Sequence, residues 1–136
     1  MANTIKITET IKAQQQRVFR AMITPEDIMQ WYRAGEGWTT PHAIVDARVG
    51  GKLKIGFRDP DGKNSYEYEG VYTEINEPNK IVYNIIDDRK VNIDFTYMDN
   101  TTEINLEFEM DSVHSEEEQR QGWTSQLLNL KHYLED

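Results

Sequence analysis

The sequence predicts an α+β fold in which one strand and two short helices precede a six-stranded antiparallel meander, and a long helix ends the chain. Three observations carry this. The hydrophobic period is two from about His42 to Asp111, through six segments broken by turn residues. After Ser115 the period becomes helical, and no repeat, linker or low-complexity tract divides the chain. Sheet and helix each present one apolar face that only the other can cover, so 1–136 reads as a single domain.

Residues Thr4 to Ile11 place Ile5, Ile7 and Ile11 on one parity among β-branched neighbours, which predicts the first strand. From Ala13 the composition turns helical, and Val18, Phe19 and Met22 form an apolar stripe. Thr24-Pro25-Glu26-Asp27 restarts a helix: Thr24 suits capping, Pro25 the first helical position, and two carboxylates favour the positive end of the dipole. This helix carries Ile28, Trp31 and Tyr32 and is expected to stop near Gly35 and Gly37.

The meander then opens at about His42. Ala43, Val45, Ala47 and Val49 alternate with polar residues, with Ile44 breaking the pattern, and Gly50-Gly51 bends the chain before Leu53, Ile55 and Phe57. Asp59-Pro60-Asp61-Gly62 is a turn leading into a long strand through Tyr66, Tyr68, Gly70 and Tyr72 to Ile75. Ile81 to Ile86 is nearly all apolar, Val91, Ile93, Phe95 and Tyr97 share a parity, and so do Ile104, Leu106, Phe108 and Met110. In the last helix Ser115 and Glu118 form a capping box, and Trp123, Leu127, Leu130 and Leu134 make the buried stripe. At about 30 Å for 20 residues that helix can cross strands about 27 Å long. A strongly bent sheet wrapped around it touches it along a line, so large side chains or a ligand must fill the remaining gap.

Composition excludes several function classes. With 136 residues and 38% apolar content the chain has apolar surface enough for a core without disulfides, burying roughly 68% of its unfolded surface. Its formal charge of −9 argues against a phosphate-tracking nucleic-acid binder or a polybasic membrane-surface module. No apolar run approaches the roughly 18 residues of a membrane span, and Met1-Ala2-Asn3-Thr4-Ile5-Lys6 lacks the pattern of a secretory leader. A cytoplasmic location is the expectation.

Reactive chemistry finds little support. No cysteine is present, and His42, His114 and His132 have no metal-ligand spacing, so neither thiol catalysis nor a zinc site is expected. The Asp59 turn lacks the glycine and glutamate of a calcium loop. Asp46 and Arg48 lie two apart on an expected strand and read as an exposed pair beside the Gly-Gly bend. Glu67, Glu69, Glu103, Glu107 and Glu109 oppose the apolar parity and read as a solvated face, and no serine sits in a nucleophile elbow. Asn84 would reach the gap only if its strand turned that way.

Thr24-Pro25-Glu26-Asp27-Ile28-Met29-Gln30-Trp31-Tyr32, Asp46-Ala47-Arg48-Val49-Gly50-Gly51, Gly70-Val71-Tyr72-Thr73-Glu74-Ile75-Asn76-Glu77-Pro78 and Gln121-Gly122-Trp123 follow one another in order. Together they resemble the activator-of-heat-shock-protein-90-ATPase-like branch of the START-like SRPBCC superfamily, nearly end to end. The resemblance implies a helix-grip fold: a curved seven-stranded sheet clasping the terminal helix over a cavity that takes an apolar small molecule in many relatives. The residues expected to line such a cavity are Trp31, Trp38, Phe57, Tyr68, Tyr72, Tyr83, Phe95, Phe108, Trp123 and Leu127. Taken singly, Trp31, Phe57, Phe95, Phe108 and Trp123 read as packing; as a set they supply flat apolar walls. The expected function is binding of a lipid-like, polyketide-like or flavonoid-like molecule without chemistry, cofactor or metal. The alternatives are a partner of a heat-shock protein 90-type chaperone, weakened because the fold uses the whole chain, and a cyclase or hydrolase. A monomer, or a weak dimer through a strand edge, is expected.

Overall fold

A computed structural model describes residues 3–33 and 35–135; Ala34, Asp136 and the Met1-Ala2 start read above for a leader lie outside the described residues. The elements are β1 (Thr4–Ile11), α1 (Gln15–Ala21), α2 (Pro25–Trp31), β2 (Thr39–Val45), β3 (Lys52–Arg58), β4 (Ser65–Asn76), β5 (Lys80–Ile85), β6 (Lys90–Met98), β7 (Thr101–Glu109) and α3 (Glu116–Glu135). The seven strands form one antiparallel sheet in the order β1-β7-β6-β5-β4-β3-β2. It curls into a half-barrel around α3, the α+β helix-grip arrangement expected. Among the described residues no helix is long and apolar enough to cross a membrane.

Alternation decides the inner face. Ile5, Ile7 and Ile11 of β1, Ile104, Leu106 and Phe108 of β7, and Val91, Ile93 and Phe95 of β6 are buried against Val18 and Phe19 of α1 and Leu127 and Leu130 of α3. The capping box starts α3 as expected: Glu118 N–H donates to Ser115 Oγ and Ser115 N–H to Glu118 Oε1, each at 3.1 Å.

The end of α2, its cap and the extent of β2 differ from expectation. α2 ends at Trp31 rather than near Gly35, because Tyr32 is already extended (φ −74°, ψ 122°). Its carbonyl is then taken by the Thr40 hydroxyl, and the Gln126 side chain takes both backbone groups of Arg33. Thr24 occupies the position before α2, yet its hydroxyl makes no capping bond. β2 runs from Thr39 to Val45, so Ala47 and Val49 fall in a turn and Ile44 lies on the outer face, 60% exposed. Asp46 and Arg48 pair at 2.9 Å across that turn, not along a strand.

The same turn is stitched to β4. Gly50 N–H donates to the Tyr72 carbonyl, Tyr72 N–H to the Gly51 carbonyl, and Gly51 N–H to the Arg48 carbonyl, all within 2.9 Å. A Cβ on Gly51 would stand 2.0 Å from the Asp46 carbonyl oxygen.

One charged group joins all three helices. Asp27 of α2 accepts two bonds from Arg17 of α1, at 2.9 and 3.1 Å, and one from the Tyr133 hydroxyl of α3 at 2.5 Å. The Arg17 bonds, helped by Tyr133 and opposed by burial, hold its carboxyl below the ordinary range. The unfolded chain therefore binds this proton first as pH falls, and the stability Asp27 contributes above its unfolded pKa of about 4 is lost as pH drops through the lower folded value. In thermal melts, Asp27→Asn is expected to start below the wild type at about pH 6, the gap closing toward about pH 3. A gap of constant size would count against this role.

Candidate functional site

The closest backbone approaches of α3 are to β1 and α2. It therefore rests on one limb of the half-barrel, while β3, β4 and β5 curve beneath it with space between. That space has two parts. The outer cavity, about 400 Å³, is bounded by Tyr32, Tyr68, Ile85, Phe108 and Trp123 and by polar Arg89, Asp111, His114, Glu118, Gln119 and Gln126, with Gly122 at its edge. Below it a hollow of about 30 Å³ lies among Leu53, Ile55, Ile81, Ile93, Met22, Ile28, Trp31, Tyr72 and Tyr83. Tyr32, Tyr68 and Trp123 border both spaces and form the partition between them.

The partition is built by strand parity. Tyr68, Gly70 and Tyr72 share the inner face of β4, and the absent side chain at Gly70 admits the Tyr83 ring, whose Cδ2 would lie 2.9 Å from a Cβ there. Tyr83 stands edge-on to Tyr68 at 6.2 Å and to Tyr72 at 6.0 Å, and Trp123 edge-on to Tyr68 at 6.3 Å. The Tyr68 and Tyr83 hydroxyls bond each other at 2.9 Å. Tyr72 Oη is buried with no partner among the described residues. Burial pushes the phenols of Tyr32, Tyr68, Tyr72 and Tyr83 upward, so at neutral pH each keeps its proton and acts as a hydrogen-bonding group rather than a base.

The rim is acidic. Burial pulls the Asp111 carboxyl upward, but the His114 and Val113 N–H groups and the His114 ring, 3.0 Å away, hold it below its ordinary value. Ser115 N–H does the same for Glu118. Arg89 faces Asp111 at 3.9 Å and is paired at 2.8 Å with Asp87, so its charge is already compensated. Gln126 pins the Tyr32-Arg33 stretch over the partition: its Oε1 accepts from Arg33 N–H at 3.0 Å and its Nε2 donates to the Arg33 carbonyl.

Gly122 is the odd residue of α3. A helix-interior glycine costs about 1 kcal/mol relative to alanine, and here a Cβ would meet nothing within 4 Å. Its free side opens on the cavity and on a groove along Arg33, Gly35, Gly37, Trp38 and Thr39.

Of the ten residues expected to line a cavity, Tyr68, Phe108 and Trp123 border the outer space, and Trp31, Tyr68, Tyr72, Tyr83 and Trp123 the hollow. Trp38 lines the adjoining groove and contacts Phe57 and Tyr66. Phe57 lies between Tyr32, Trp38 and Tyr66; Phe95 packs on Phe19 at 5.3 Å; Leu127 is in the core. Asn84 has the opposite parity to Tyr83 and pairs with Val71 and Lys90. Sequence reasoning missed Tyr32, Ile85, Gly122, Gln126 and the polar rim. Only Gly122 carried a visible signal, a glycine inside a strong helical pattern. Among the described residues no group of three or more acidic or histidine side chains could hold a metal ion.

A family model described as "Activator of Hsp90 ATPase homolog 1-like protein" matches residues 12–135. The solution structure of an AHSA1-like protein from Aeromonas hydrophila is similar at 27% identity and a TM-score of 0.88, covering 96% of this chain and 92% of that one. Chr148 from Cytophaga hutchinsonii is similar at 32% identity and 0.82, covering 96% and 90%. Protein CV1439 from Chromobacterium violaceum, 24% identical with a TM-score of 0.87 over 98% and 99%, shares the fold. No curated protein matches the chain.

Proposed function

Because this chain belongs to the family of activator of Hsp90 ATPase homolog 1-like proteins, we propose that it is a single-domain cytoplasmic binding module for an apolar or aromatic small molecule, with no chemical step. The observation that carries this is the outer cavity of about 400 Å³ with Tyr68, Phe108 and Trp123 in its wall, within the roughly 300–1,000 Å³ of small-molecule sites. Flat rings supply burial, and the polar rim orients whatever part of the guest stays wet. The protonated tyrosines suit hydrogen bonding to such a guest. The family's name also favours engagement of an Hsp90-type chaperone, which a chaperone ATPase assay separates from ligand binding.

Titration with a panel of lipids and flavonoid-like compounds is expected to quench tryptophan fluorescence saturably. Amide shifts should concentrate at Tyr68, Phe108, Gly122 and Trp123. No response to any compound, or shifts confined to the outer faces of the strands, would overturn the reading.

A further inference from the structure

We infer that the inner hollow is a subsite for a neutral hydroxyl or carbonyl at the tip of the guest, and that the Tyr72 hydroxyl is the group that recognises it. This rests on the reading of the outer cavity as a ligand site and adds what kind of ligand fits.

Buried polar side-chain atoms almost always have a hydrogen-bond partner. Tyr72 is 1% exposed, and its Oη is the buried side-chain polar atom left without one among the described residues. The Tyr68 and Tyr83 hydroxyls bond each other, and neither stands within hydrogen-bond distance of Tyr72 Oη. Of the remaining lining, Ile28, Leu53, Ile55, Ile81 and Ile93 are hydrocarbon, the Trp31 indole N–H is given to the Ala21 carbonyl at 2.9 Å, and the Tyr32 hydroxyl belongs to the partition.

Size sets the chemistry. One water-sized group needs roughly 10–15 Å³, so about 30 Å³ admits an oxygen-bearing tip but not a ring. The ring or chain of the guest must lie in the outer cavity, with its tip passing the partition of Tyr32, Tyr68 and Trp123. Charge sets the rest. Among the described residues no Lys, Arg or His borders the hollow to balance a carboxylate, and the outer rim sets Asp111 and Glu118 against one guanidinium that Asp87 already pairs and the His114 ring, which Asp111 engages at 3.0 Å. Burying an unpaired anion there is costly, which leaves a neutral hydrogen-bonding tip.

The test compares 4-phenylphenol with biphenyl on the wild type and Tyr72→Phe, by tryptophan fluorescence titration and thermal melts of the free proteins. The wild type is expected to prefer the phenol by about 5- to 10-fold, the worth of one net hydrogen bond. Tyr72→Phe should lose that preference through weaker binding of the phenol, and melt no lower than the wild type, because the hydroxyl has no internal partner to lose. A preference that survives in Tyr72→Phe overturns the inference. So does a free variant that melts several degrees lower, which would mean the hydroxyl holds a structural water. If the wild type binds both probes alike, this inference alone falls; if it binds neither, the reading of the cavity falls with it.

Discussion

Gly51→Val is expected to destabilise the protein by about 3 kcal/mol and lower its melting temperature by about 6–12 °C. A Cβ at this position would lie 2.0 Å from the Asp46 carbonyl oxygen, and because that atom is backbone, no rotamer change relieves the clash. The turn would have to move. Moving it stretches three short bonds, Gly50 to Tyr72, Tyr72 to Gly51 and Gly51 to Arg48, worth about 1 kcal/mol each. Two of the three end on Tyr72, so the damage reaches the residue beside the hollow. Calorimetry checks the size of the effect; a melting point within a degree or two of the wild type would mean that the turn adapts at no cost.

Gly122→Phe is expected to preserve the fold and weaken binding of any cavity ligand about 30-fold or more. The helix loses nothing, since phenylalanine is the better helix former and its Cβ meets open space. The added ring, however, projects toward space that the guest needs. Excluding about six ligand atoms, at about 0.3 kcal/mol each, removes about 2 kcal/mol of affinity. Circular dichroism with the same titration separates the two effects. Undiminished affinity in a folded variant would place the ligand elsewhere, while an unfolded variant would refute the account of Gly122.

The contrast between these glycines explains what could be read from sequence. Period-two alternation located six of the seven strands and a nearly continuous apolar run the other, β5, while the Ser115–Glu118 pair located the start of α3, because those signals are local. Parity also put Tyr68 and Tyr72 on one face and correctly opposed Glu67 to them. Other features depended on contacts distant in sequence. α2 ends where it does because Gln126, ninety-three residues on, takes the backbone of Arg33. Val49 continued the alternation of β2, yet the bonds from Gly50 N–H to the Tyr72 carbonyl and from Tyr72 N–H to the Gly51 carbonyl end that strand early. The polar rim brings Arg89 from one hairpin beside Asp111 and His114 from the approach to α3, a meeting that no spacing rule encodes.

The way α3 leans on β1 and α2 while standing off from β3 to β5 has a consequence for substitution. Apolar residues that shape the vacancy, Ile85 and Phe108 among them, also belong to the buried core, whereas a side chain at Gly122 would meet open space, so this position can vary without loosening Ile104 or Leu130. On the proposed reading, replacements at that open edge change which guest fits while the packed core stays as it is.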